Sequence, residues 1–265
     1  ASLLPEQTKV IDAVKQALPA THDAPRFDWG NALRAPSFYG REAELSLLST
    51  WVVEERCRVV SVVGFGGIGK STLVVQLMHQ LAEHFQVVIW RSLRDTPTYE
   101  ALLDDCLSVL ATQPIDELPA SLEERQNLLL KFMRTTRTLL VFDNFESILE
   151  DREGLGRLRP EYQKLGRVLH LSAETEHQSC ILLTSREKPS ELGTYEGSQS
   201  PVRTLQLAQL DDHSCRHLLA EKEVTGNDAQ KAKLIETYEG NPLALKIVTQ
   251  TIVELFNGEI MPFLE

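Results

Sequence analysis

Residues 64–71 read Gly-Phe-Gly-Gly-Ile-Gly-Lys-Ser, between a β-branched run from Cys57 to Val63 and a stretch in which Leu73, Leu77 and Leu81 recur at helical spacing. This is the pattern G-x-x-x-x-G-K-[ST] in the place its mechanism demands, directly after a buried strand and opening a helix. The pattern confines the chain to folds in which a strand feeds a helix through a tight loop. There the backbone wraps an anion at the positive helix end. Gly66, Gly67 and Gly69 let the loop approach a phosphate group, and Gly64, Ile68 and Thr72 complete the segment. Lys70 is expected to neutralise β- and γ-phosphates, and Ser71 to ligate Mg²⁺. The ligand implied is a nucleoside di- or triphosphate with Mg²⁺.

Such a loop needs an apolar strand that delivers an acid beside the metal, and Leu139-Leu140-Val141-Phe142-Asp143 supplies one. Asp143 is the second expected metal residue. The next residue is Asn144, an amide that orients water but cannot take its proton, so slow hydrolysis is expected. Glu146 lies two positions further on and is the carboxylate that could substitute, although on a helix it would point elsewhere. Thr184-Ser185-Arg186 closes another apolar strand and puts a guanidinium where it would sense the γ-phosphate; the alternative is a solvated charge at a strand end. The residues expected to carry the chemistry are thus Lys70, Asp143, Asn144 and Arg186.

Short apolar strands at Cys57–Val63, Gln86–Trp90, Thr138–Phe142, Ser179–Thr184 and Val202–Leu207 alternate with helical patterns at Arg41–Glu55, Lys70–Glu83, Tyr99–Leu110 and Leu122–Met133. Strands of this kind lie in parallel sheets covered on both faces. The expected architecture is α/β: a P-loop domain at 38–207 with a five-stranded parallel sheet flanked by helices. A small helical domain follows at 208–265, with helices from Asp211, Asp228 and Pro242. Residues 1–37, with one helical candidate from Glu6 to Leu18, read as a lead-in or linker.

The net charge is −11, against a mainly electrostatic grip on nucleic acid or an anionic membrane. No apolar stretch approaches the about 18 to 20 residues needed to span a bilayer, and the N-terminal residues lack the plan of a signal peptide. Cys57, Cys106, Cys180 and Cys215 form no C-x-x-C pair and read as reduced thiols of a cytoplasmic protein. Opening at Ala1 without a methionine, the sequence reads as a piece of something longer.

Phe38-Tyr39-Gly40-Arg41-Glu42-Ala43-Glu44, the phosphate loop, LLVFD at 139–143, ILLTSR at 181–186 and Gly240-Asn241-Pro242-Leu243-Ala244-Leu245 occur in an order that resembles NB-ARC ATPases. These are signal-transduction ATPases with numerous domains. The wording is similar to bacterial, often cyanobacterial, members that carry tryptophan-aspartate repeats, over roughly residues 27–265. The resemblance implies a nucleotide-gated switch, closed with ADP and self-associating with ATP, that works with sensor and effector parts elsewhere. It also implies that Phe38, Tyr39 and Arg41 line the adenine and that Pro242 and Leu243 close the pocket from the helical domain. The plainer alternatives are an Arg41–Glu44 pair at a helix start and a Pro242 that merely occupies the first turn of a helix.

Other functional classes are a continuously cycling ATPase or nucleotide kinase, a GTPase and a passive scaffold. No acceptor-substrate motif supports the first, no N-K-x-D motif supports the second, and the intact Lys70, Ser71 and Asp143 oppose the third.

Overall fold

The computed structural model describes residues 25–32, 38–111, 118–150 and 156–265. The helical candidate from Glu6 to Leu18 lies outside them. Six strands form one parallel sheet: β1 (Arg26–Asp28), β2 (Val59–Val63), β3 (Val87–Ser92), β4 (Thr138–Asp143), β5 (Cys180–Ser185) and β6 (Val202–Gln206). Their order is β1-β3-β4-β5-β2-β6. The helices among the described residues are α1 (Glu42–Ser49, continuing as a π turn to Glu54), α2 (Lys70–Leu81), α3 (Tyr99–Leu110), α4 (Leu122–Thr135) and α5 (Gln163–Glu174). After the sheet come α6 (Asp212–Glu221), α7 (Asp228–Thr237), α8 (Pro242–Phe256) and α9 (Ile260–Leu264).

The sheet has six strands where five are expected, and the additional one is β1, within the stretch read as lead-in. Its three residues are too few to show a period of two. Contacts distant in sequence hold it. The Arg26 guanidinium donates to the carbonyls of Val109 at 3.0 Å and Leu110 at 2.9 Å, acceptors that the end of α3 leaves without helical partners. Asp28 accepts from Arg91 of β3 at 2.7 Å, and Arg26 pairs in register with Val87.

Side-chain alternation divides the central strands between two cores. Val59, Val87, Ile89, Leu140, Phe142, Ile181 and Leu183 pack with α3, α4 and α5 on one face. Val60, Val62, Val88, Trp90, Leu139, Val141 and Leu182 pack with α1 and α2 on the other. Burial on both faces explains why β2, β4 and β5 read as continuous apolar runs. Helix α5 has no counterpart among the sequence-based elements, although Leu165, Val168 and Leu169 are buried on one side of it. All four cysteines are free and buried. Burial pushes the thiol of Cys106 up to about 12 and that of Cys215 up to about 11, so neither is a thiolate at neutral pH.

The helices after β6 have a core of their own, built on Cys215, Leu218, Leu219, Leu234, Leu245, Val248 and Ile252. Each of the first three starts on a side-chain cap: Asp211 accepts from the Ser214 amide, Asn227 and Gln230 form a reciprocal capping box, and Asn241 accepts from the amides of Leu243 and Ala244. Pro242 follows Asn241 at the first helical position, where the missing N–H costs nothing.

Candidate functional site

The sheet order sets β5 between β2 and β4, so three neighbouring strands deliver the glycine-rich loop, Arg186 and Asp143 to one edge. Parallel α/β sheets bind ligands outside these carboxyl ends. Three loop glycines have positive φ, Gly64 among them with a nearly extended 159. Gly69, at φ 100, caps α2, and Gly67, at φ 75, has no room for a side chain because a Cβ there would stand 2.8 Å from that of Leu243. Lys70 opens α2 and turns back under the loop, donating to the carbonyls of Gly64 at 2.8 Å and Phe65 at 3.0 Å. Burial lowers its pKa, the carboxylate of Glu146 opposes this, Arg186 adds to it, and Asp143 opposes it too.

Asp143, 6% exposed at the end of β4, is held by two hydroxyls. Ser71 Oγ donates to its Oδ1 at 2.6 Å and Thr184 Oγ1 at 2.5 Å. Thr184 also accepts from the Asn144 amide at 3.0 Å, so the residue on the intervening strand fixes both acid and turn. Ser71 and Asp143 thus meet although 72 positions separate them. Their donors are all hard oxygens, the set that Mg²⁺ takes while keeping several waters. The residues present therefore fit the metal.

Asn144 adopts the left-handed conformation, φ 59 and ψ 42, and leads into a 3-10 turn over Phe145–Ile148. Phe145 and Ile148 are fully buried and anchor this turn. The outcome for Glu146 differs from the expectation of a residue pointing away. Its side chain is 17% exposed and Oε1 lies 3.3 Å from Arg186 Nε. A regular helix after Asp143 would aim Glu146 outward, and the left-handed turn at Asn144 prevents that. Arg186 lies over the loop, its guanidinium carbon 3.4 Å from where a Cβ on Gly66 would stand.

Phe38, Tyr39, Arg41, Ile68, Gly69, Thr72 and Pro242 come together around one crevice of ≈ 60 Å³, with Leu210, Leu218 and Lys246 completing its wall. Arg41 is 5% exposed and makes both the plain contact and a structural one. It pairs with Glu44 at 2.7 Å and donates to the carbonyls of Ala208 at 2.7 Å and Ile68 at 3.3 Å, tying the loop to the start of the helical unit. Tyr39 stacks on His217 of α6 with ring centroids 5.9 Å apart. Leu243 is outside the crevice, half exposed, and sits on the loop with its amide donating to the Gly67 carbonyl at 3.3 Å. Asn241, which the sequence marks only as part of a motif, donates from Nδ2 to the Gly66 carbonyl at 2.9 Å.

Comparison with known proteins gives the family and the fold. The chain is 42% identical over 250 residues to a WD repeat-containing protein of Nostoc sp., covering 91% of this chain and 20% of that protein. It spans about a fifth of the length of the curated relatives it matches. Among solved structures, a signal transduction ATPase with numerous domains from Pyrococcus horikoshii, which has a tetratricopeptide repeat sensor, superposes with a TM-score of 0.60 at 20% identity, over 82% of this chain and 30% of that one. The Walker-type ATPase of Pyrococcus abyssi gives 0.56 at 15% identity, over 88% of this chain and 72% of that one. Both likenesses are of fold, that of P-loop ATPases. The model of the NB-ARC domain matches residues 41–229, a stretch that contains the glycine-rich loop, Asp143 and Arg186, and the chain belongs to the NB-ARC family.

Proposed function

We propose that the chain is the ATP- and ADP-binding switch of a larger signalling protein, in which slow, Mg²⁺-dependent hydrolysis resets a conformational state. The observation that carries this reading is the direct bonding of the helical unit to the phosphate loop, Asn241 to Gly66 and Leu243 to Gly67. A loop that reshapes around phosphate must renegotiate those two bonds, so the phosphates present bias the position of the helices. The base would enter the crevice between Tyr39 and Pro242, with Lys70 and the loop amides on the phosphates. Arg186, with its side chain 68% exposed, would report the γ-phosphate. Mg²⁺, held by Ser71 and Asp143, would neutralise phosphate charge. Self-association in the ATP state and coupling to sensor and effector segments complete the proposal, with a cytoplasmic setting.

The test is to denature the purified chain and quantify the released nucleotide by ion-exchange chromatography, then compare its mass in solution with ADP and with ATP. Near-stoichiometric ADP, and a larger mass with ATP, are expected. Rapid multiple turnover with one unchanging mass would instead mean a continuously cycling ATPase.

A further inference from the structure

We propose that Glu146 is the carboxylate that activates the attacking water, and that Arg186 withholds it until a γ-phosphate is present. This rests on the reading of the site as one that hydrolyses ATP. Hydrolysis needs a group to accept the proton of water, and the residue beside Asp143 is an amide that accepts none. Asp143 is occupied, its Oδ1 taking hydrogen bonds from both Ser71 and Thr184. Glu146 remains. Its Oε2 is buried with no hydrogen-bond partner among the described residues, an arrangement that leaves acceptor capacity where burial penalises it. Its contact with Arg186, whose guanidinium lies over Gly66, sets Glu146 at the phosphate end of the site, and its charge acts on Lys70. Glu187 also carries a buried, unpartnered oxygen, but it is Glu146 that pairs with Arg186 over the loop.

The position is rigid. Phe145 and Ile148 lock the 3-10 turn into the core, and the left-handed Asn144 sets its direction. Arg186 is the movable partner: it meets Glu146 through a single contact of 3.3 Å, with most of its side chain in solvent above Gly66. A phosphate oxygen offers guanidinium a shorter, multidentate contact than this one. Arrival of the γ-phosphate draws Arg186 away and frees Oε1 of Glu146, which leaves the whole carboxylate open to water. As the water oxygen bonds to the γ-phosphorus, its proton passes to Glu146. The bond from that phosphorus to the bridging oxygen breaks with its electron pair left on the β-phosphate of ADP, and the proton then leaves Glu146 for the phosphate released.

Glu146→Gln keeps size and removes basicity. Single-turnover hydrolysis should fall by about a hundredfold or more, while ATP affinity stays within about twofold and ATP is recovered from the variant where the parent chain yields ADP. Glu146→Asp, which withdraws the carboxylate by one methylene, serves as the second variant if the amide does not fold, and should lose most of the hydrolysis with binding retained. Hydrolysis at the parent rate in a folded variant that binds ATP overturns the role of Glu146 alone. A parent chain that binds ATP without hydrolysing it overturns it as well, and a parent chain that binds no ATP overturns the site reading with it.

Discussion

The phosphate side of the site is a continuous segment hung between β2 and α2, whereas the base side takes its walls from residues 38–41, the start of α2, and the helices α6 and α8. Within the phosphate loop itself the contacts are covalently near: Lys70 reaches carbonyls five and six residues away. On the base side they are remote, as in the Tyr39 contact with Glu221 across 182 positions, and the Asn241 to Gly66 bond, across 175, joins the helical unit to the loop. A loop made of neighbouring residues stays assembled when other parts move, even as it adjusts around phosphate. A crevice assembled from two packed units opens whenever those units separate, so under the proposed function the site would keep its hold on phosphate while the base side is gated.

Substitutions on the two sides should therefore differ in kind. Lys70→Ala removes the buried cation of the phosphate side, and should weaken ATP and ADP binding by at least about tenfold with the fold intact by circular dichroism. Unchanged affinity by calorimetry would remove the loop from nucleotide binding. Asn241→Ala breaks the bond to Gly66 and the cap of α8 together, with an expected loss of about 1 kcal/mol in the helical unit and nucleotide release about fivefold faster. Thermal unfolding and stopped-flow release read the two effects, and release at the parent rate would mean that the helical unit does not gate the loop. Pro242→Ala trims only the crevice wall and should speed release by about threefold through lost contact area; identical off-rates would take α8 out of the base site. Asn144→Asp should change hydrolysis least, within about twofold, because Asn144 contributes a left-handed turn and its amide bond to Thr184. A large gain in steady-state turnover would show instead that a carboxylate at 144 is what the site lacks.

The difference between the two sides also governs how much could be read in advance. Lys70, Ser71 and Asp143 are legible because a spacing rule and an apolar strand specify them, and the structure brings Ser71 and Asp143 into contact. Glu146 is legible as a residue but not as a direction: its aim depends on a left-handed backbone at Asn144, which Asn tolerates without requiring. Strand β1 escapes because three residues carry no periodicity and its anchors, the end of α3 and Arg91, lie far along the chain. Asn241 shows in sequence only as part of a motif; its cap of α8 is a local contact, and its bond to the loop carbonyl belongs to the packing of two units.

By itself the sequence determined the α/β class, the loop that opens α2, the acid at the end of β4 and the helical unit after β6, since these follow from local periodicity, glycine placement and caps that neighbouring residues enforce. Only the tertiary structure decided that β5 lies between β2 and β4, that Thr184 binds Asp143, that Glu146 turns to face Arg186, and that Asn241 holds the phosphate loop. Those arrangements depend on which distant surfaces bury against each other, and burial is settled by the whole chain at once rather than by any one stretch of it.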